Sequence, residues 1–234
     1  LAAAAIKAGD TSLSFSARYG TLIGLLAIIA LFAALSPQAF AKGSNLINIT
    51  QQMSLLAIVA LGATFVMSLS EFDLSVGAVV SMAGIVSVTL FGAGWGIVPV
   101  MLVTLIAGFA VGAVSGLAIA TYRMPSFIVT LAMGTIVGGI TYWISDGATL
   151  FGNILVGFRD LGRGYLAGIP VLTLWALAAT LFAAFILDHT ELGRRILAIG
   201  GNREAARLTG VRIVPNSVWA FGLCMLLAAL AGLL

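Results

Sequence analysis

Seven long runs without a charged side chain divide this sequence, and they leave very few folds open to it. They cover residues 20–36, 53–70, 74–91, 97–122, 126–145, 168–187 and 214–234. About 20 apolar residues in a helix cross the hydrocarbon core of a bilayer. Backbone polar groups in lipid must be satisfied within the segment, so each run reads as a transmembrane α-helix. Only 8% of the residues are charged, and the mean hydropathy is +1.17. A soluble domain carries about 25% charged residues, which excludes a water-soluble core here. The expected fold class is all-α: a polytopic transmembrane helical bundle with about seven spans visible.

The runs are read as a single domain over residues 1–234. Residues 1–19, with Lys7, Asp10 and Arg18, read as a polar arm. Residues 38–52 read as a polar connection, and Glu71-Phe72-Asp73 as a short acidic break. Arg123-Met124-Pro125 interrupts the chain because proline cannot continue the helical hydrogen-bond ladder. Residues 146–167 form a longer connection with Arg159, Asp160 and Arg163. The chain begins at Leu1 and ends at Leu234 within an apolar run, as expected of a piece of a longer protein. The single cysteine, Cys224, excludes an internal disulfide and lies where a buried thiol is expected. His189 reads as a solvated helix-end residue rather than a metal ligand.

Positive charge orients the bundle. With the N-terminus inside, the inner segments carry Lys7, Arg18, Arg123, Arg194, Arg195, Arg203, Arg207 and Arg212. The outer segments carry only Lys42, Arg159 and Arg163. The expectation is a multi-pass membrane protein with a cytoplasmic N-terminus. The net charge of +3 is explained by this topology and implies no nucleic-acid partner.

Three stretches stand out. The most charged is GRRILAIGGNREAARLTGVRI, residues 193–213. Asn202 is placed to cap a helix there, Glu204 lies in its first turn, and Gly210 can supply a left-handed stop. Ala205, Leu208 and Thr209 share one face. Taken by composition, this is a basic loop obeying the positive-inside rule. The second stretch is EFDLSVG, residues 71–77, where Asp73 can serve as a cap for the following span. The third, PSFIVTLAM, residues 125–133, reads by itself as a helix start with Pro125 near the first turn. Gly108, Gly112 and Gly116 recur every fourth residue, as do Gly134 and Gly138, a pattern of close helix contacts read as packing within one subunit, with a dimer seam as the alternative.

Residues 198–213, AIGGNREAARLTGVRI, resemble the coupling loop of bacterial ABC importer permeases, in the ribose, xylose and autoinducer branch. Asp73, Leu74, Ser75, Val76 and Gly77 are similar to the DLSVG signature of that family, with Ser70-Glu71-Phe72 departing from its common Gly-Gly-Ile form. Pro125, Phe127 and Thr130 lie in a stretch similar to its PPFIVTLGM. The resemblance implies a permease moving a sugar or similar small polar solute by alternating access. It implies an architecture like that of the vitamin B12 importer, with further helices after Leu234. Residues 188–213 would be the cytoplasmic coupling loop, with Gly200, Gly201, Asn202, Glu204, Ala205, Ala206, Leu208 and Gly210 meeting the ATPase. Asp73, Leu74, Ser75, Gly77, Pro125, Phe127 and Thr130 would belong to the gating motifs. The implied partners are an ABC ATP-binding subunit, a second permease subunit, an extracytoplasmic solute-binding protein and membrane lipid. ATP and magnesium would sit on the ATP-binding subunit, leaving this chain without a cofactor.

No Walker A sequence and no catalytic triad or carboxylate pair occur, so ATP hydrolysis is expected elsewhere. Two rivals stay open. A branched-chain amino-acid permease shares the loop type. An ion-coupled secondary transporter would ordinarily need ionisable groups near the membrane centre, where these runs have almost none.

Overall fold

The computed structural model describes residues 2–40, 42–150 and 155–234. Helices dominate: α1 (Ala2–Leu35), α2 (Pro37–Phe40), α3 (Gly43–Met67), α4 (Val76–Gly92), α5 (Ile97–Tyr122) and α6 (Ser126–Ser145). There follow α7 (Val156–Arg163), the strands β1 (Tyr165–Leu166) and β2 (Ile169–Pro170), and α8 (Val171–His189). The chain ends with α9 (Glu191–Gly201), α10 (Arg203–Leu208) and α11 (Ile213–Leu233). An all-α polytopic membrane protein is thereby established. Among the described residues, five helices are long and apolar enough to cross a membrane: α3, α5, α6, α8 and α11. Two shorter apolar helices cover Tyr19–Leu35 and Val76–Gly92.

The chain separates into two compact units, Leu1–Thr50 and Gln51–Leu234. In the first, Phe32 and Phe40 stack at 6.1 Å between α1 and α2. The Asn45 side chain donates to the Phe40 carbonyl. Residues 2–19, read as a polar arm, continue α1 without a break. Lys7, Asp10 and Arg18 are compatible with a helix that extends beyond its apolar stretch. Similarly, α3 begins at Gly43, ten residues before the apolar run does. Hydropathy locates the part of a helix that lipid can cover, and backbone hydrogen bonding continues past it.

The second unit is built around α11. A helix that is hydrophobic on all sides belongs in a core. Most residues of α11 are buried, Ala220, Phe221, Cys224, Met225 and Ala228 almost completely. Gly108, Gly112 and Gly116 of α5 lie against the Met225, Phe221 and Ser217 carbonyls, so close that an added Cβ would overlap backbone. The pattern at 108, 112 and 116 is therefore a contact within this chain, whereas Gly138 has nothing near where a Cβ would stand. Gly62 of α3 packs on Cys224, and Gly232 of α11 on Val80 of α4. Outward faces remain apolar, with Val98, Leu102 and Ile106 on α5 and Leu177, Leu181 and Phe185 on α8 exposed. Apolar surface of that extent suits lipid contact.

The connection read over residues 146–167 includes 151–154, which lie outside the described residues. Its remainder contains α7 and the first strand of a hairpin. Tyr165 pairs with Pro170 and Leu166 with Ile169 in that hairpin. Ala167 and Gly168, at φ 50° and 83°, make the tight turn that right-handed strand twist favours. His189 closes α8, with its ring stacked on Phe185 at 5.9 Å.

Candidate functional site

The basic stretch consists of two helices. Thr190 caps α9, its hydroxyl accepting from the Gly193 N–H at 3.2 Å. Ile196 and Ile199 bury one face of α9, while Arg195 pairs with Glu191 on the exposed face. The part of the loop before Asn202 is thus a helix of 11 residues rather than irregular chain. Asn202 then caps α10 as its sequence suggests. Its Oδ1 accepts from the Glu204 and Ala205 N–H groups at 3.1 and 2.9 Å. Gly210 adopts φ 85°, and the Val211 N–H donates back to the Ala206 carbonyl at 3.0 Å. That geometry satisfies a carbonyl at the helix end and reverses the chain at low steric cost.

Burial divides α10 into two faces. Ala206 is turned inward at 4% exposure, whereas Ala205 and Thr209 are exposed and Leu208 is 81% exposed. A short helix therefore offers two small side chains and one leucine outward. Gly201 has open space around it; Gly200, by contrast, packs directly on the Ser68 carbonyl after α3.

That contact starts a chain of interactions. The Ser70 hydroxyl donates to the Gly200 carbonyl at 2.9 Å. Arg203 Nη1 meets Glu71 Oε1 at 3.2 Å. Beyond them, the Phe72 N–H donates to Ser126 Oγ and the Leu74 N–H to Thr130 Oγ1, each at 3.1 Å. Thr130 in turn donates to the Ser126 carbonyl at 2.8 Å. The three sequence motifs, far apart in the chain, thus meet at one end of the bundle. The basic stretch touches the acidic break, and the break touches the first turns of α6.

Asp73 occupies a different place from the one its sequence suggests. Helix α4 starts at Val76, and Ser75, not Asp73, is its N-cap residue. Asp73 instead closes the turn before the helix. Its Oδ1 accepts from the Ser75 N–H at 2.8 Å and from the Ser75 hydroxyl at 2.6 Å. An Asp two residues before the N-cap can bond the backbone of its own turn, which competes with the cap position. Its other oxygen, Oδ2, is buried without a partner. Burial pushes the Asp73 carboxyl above its ordinary range, and the two Ser75 hydrogen bonds partly offset this. Ser75 itself is fully buried and lies within 3.6 Å of a Cβ built on Gly134.

The other motif residues are less involved. Leu74 and Phe127 expose more than half of their side chains. Gly77 has nothing near where a Cβ would stand. Pro125 precedes α6, and its carbonyl accepts from Ile128 and Val129. With Glu204 and Arg203 it lines a cavity of about 840 Å³. No cluster of three His, Cys, Asp or Glu side chains that could hold a metal occurs among the described residues. Sequence reasoning missed Ser68, Ser70, Ser126 and Thr190. The i, i+4 spacing of Ser126 and Thr130 marks one helix face and was the available signal for that pair.

Residues 45–234 match the family described as "Branched-chain amino acid transport system / permease component". The chain belongs to this permease family. The ribose import permease protein RbsC of Escherichia coli K12 is 38% identical to the permease over 218 residues, covering 92% of this chain and 67% of the relative. RbsC of Bacillus subtilis is 33% identical over 216 residues, with the same two shares. The D-allose transport system permease protein AlsC of E. coli K12 is 32% identical over 216 residues, covering 92% and 66%. No solved structure matches the permease.

Proposed function

We propose that this chain is the membrane-spanning subunit of an ATP-driven ABC importer that brings a sugar or similar small polar solute into the cytoplasm. The ribose and D-allose of the relatives' names support that class of solute over an amino acid, although the family is named for amino-acid transport. ATP and magnesium are assigned to a separate ATP-binding subunit. A second permease subunit and an extracytoplasmic binding protein complete the assembly, in an architecture like that of the vitamin B12 importer. The chain crosses the membrane seven times from a cytoplasmic N-terminus, counting the shorter helices over Tyr19–Leu35 and Val76–Gly92. The charge asymmetry supports that orientation, in which α10 would lie on the side where ATP is.

One observation carries the mechanism: α9 and α10 are fastened to the acidic break, and the break is fastened to α6. The exposed Ala205, Leu208 and Thr209 dock on the ATPase. Closure of the ATPase pair displaces α10. The Gly200–Ser68 contact and the Glu71–Arg203 pair carry that displacement to residues 68–75. The Ser126 and Thr130 bonds pass it to α6, tilting one span against α4 and opening the path to the other side. Asp73 holds the turn rigid enough to transmit rather than absorb the movement. The permease needs only weak solute contacts, because the binding protein supplies affinity.

The test is uptake into proteoliposomes holding the permease, its ATPase and its binding protein, with pentoses, hexoses and leucine offered in turn. ATP-dependent accumulation of a sugar is the expected result. Accumulation of leucine alone would move the protein to the amino-acid branch. Uptake driven by an ion gradient without ATP would refute the importer.

A further inference from the structure

The cavity beside α10 gathers four guanidinium groups, Arg123, Arg203, Arg207 and Arg212, and two carboxylates, Glu71 and Glu204. Glu71 pairs with Arg203. Among the described residues, Arg123, Arg207 and Arg212 have no carboxylate within ion-pair distance. These three come from three separate segments: the end of α5, the last turn of α10 and the residue before α11. The positive-inside rule accounts for arginines at this end of the bundle. It does not account for three segments turning them around one concavity. Arg123 also holds φ 54°, ψ 35°, a left-handed conformation that a side chain bearing a Cβ rarely adopts.

Apart from Thr121, the remainder of the lining is apolar. Ala120 and Met124 at the end of α5, and Ile213 and Val214 at the start of α11, belong to or adjoin two helices that cross the membrane. The cavity therefore combines guanidinium groups with apolar residues at the ends of two membrane-crossing helices. A soluble anion would use only the guanidinium groups. We propose that this cavity is a binding site for the phosphate headgroup of an anionic glycerophospholipid, with Arg123, Arg207 and Arg212 as its donors. Guanidinium groups bind phosphate oxygens in a two-pronged geometry, and basic pockets between membrane helices suit such headgroups. The lipid would bridge α5, α10 and α11, and so set how firmly α10 is held against the bundle.

The test uses the complete permease with its ATPase, in nanodiscs of phosphatidylcholine carrying rising fractions of phosphatidylglycerol. The thermal midpoint of the wild-type protein is expected to rise with phosphatidylglycerol and to saturate. In an Arg123→Asn/Arg212→Gln variant, the fraction giving half the rise should increase at least fivefold. Asparagine is chosen at 123 because it tolerates the left-handed backbone. Arg194→Gln, which lies outside the cavity, should behave as wild type. Native mass spectrometry should find phosphatidylglycerol retained by the wild type and lost from the double variant. This readout does not depend on which solute is transported, so it fails or succeeds separately from the importer assignment. Equal phosphatidylglycerol dependence in wild type and double variant would overturn the site. Inorganic phosphate reproducing the full rise in pure phosphatidylcholine would overturn the lipid assignment. Loss of the ATPase from the double variant, with no lipid dependence in the wild type, would give these arginines to the protein partner instead.

Discussion

Adjacent glycines at 200 and 201 allow a controlled test of the link between α9 and the acidic break. A Cβ added to Gly200 would overlap the Ser68 carbonyl oxygen and lie 2.9 Å from the Ser68 carbonyl carbon and 3.2 Å from that of Leu69. All three are backbone atoms, so no rotamer change relieves the clash, and the end of α9 must shift. Overpacking of this kind costs about 1–3 kcal/mol. The Ser70–Gly200 hydrogen bond, lost with the shift, is worth about 1 kcal/mol more. A total near 2–4 kcal/mol changes the docked-to-undocked ratio by roughly 30-fold or more. At Gly201 an added Cβ meets nothing within 4 Å. Alanine there should be neutral or stabilise slightly, since it is the better helix former. The assay is ATP-driven uptake per inserted molecule, alongside ATPase activity and the thermal midpoint in detergent. Gly200→Ala should lower the midpoint and most of the uptake while its ATPase stays bound and active; Gly201→Ala should match wild type. Indistinguishable uptake and midpoints for the two variants would refute the transmission route through Ser68.

In α10, Ala205→Glu should abolish uptake or release the ATPase, measured by co-purification; a normal complex with normal uptake would show that this face docks nothing. Glu71→Gln and Arg203→Gln should each reduce uptake, and the double variant should be no worse than the poorer single, because both remove one interaction. Asp73 is raised in the folded protein, so its proton-linked stability is full below the usual carboxylate range and is lost as pH rises through the raised value. Asp73→Asn should flatten that part of a thermal-midpoint-versus-pH curve and keep much of the uptake, whereas Asp73→Leu, which cannot accept from Ser75, should lose uptake while still inserting. Single cysteines at Ser44 and Ala148, in a Cys224→Ala background, should react with an impermeant thiol reagent added outside intact cells, and one at Thr209 should not.

Helices α5 and α6 were legible to the residue, because Gly96, the Arg123-Met124-Pro125 interruption and Asp146 bound them sharply. The cap, exposed face and stop of α10 were also legible, since Asn202 and Gly210 act through local backbone geometry. The start of α3 was not: Asn45, Asn48, Gln51 and Gln52 are polar yet helical, and hydropathy reports lipid contact rather than hydrogen bonding. Asp73 was displaced by two residues because a cap and a turn-closing aspartate look alike in one dimension. Helix α9 was hidden by its arginines, which favour a helix as readily as a loop. The pairing of Glu71 with Arg203 crosses 132 positions, and no local pattern encodes such a distance.

The central position of α11 has a consequence for how the bundle is made. Synthesis runs from the N-terminus, so α4 and α5 reach the membrane before the helix they surround. Until α11 arrives, the glycines at 108, 112 and 116 open a groove to lipid tails, which cannot enter as closely as a backbone does. Helix association in lipid rests on such close packing. The earlier spans therefore wait, inserted but loosely associated, and the last described helix acts as the keystone that locks them. An obstacle to its entry, such as a bulky side chain at Gly112, would leave every span in the membrane and the molecule unassembled.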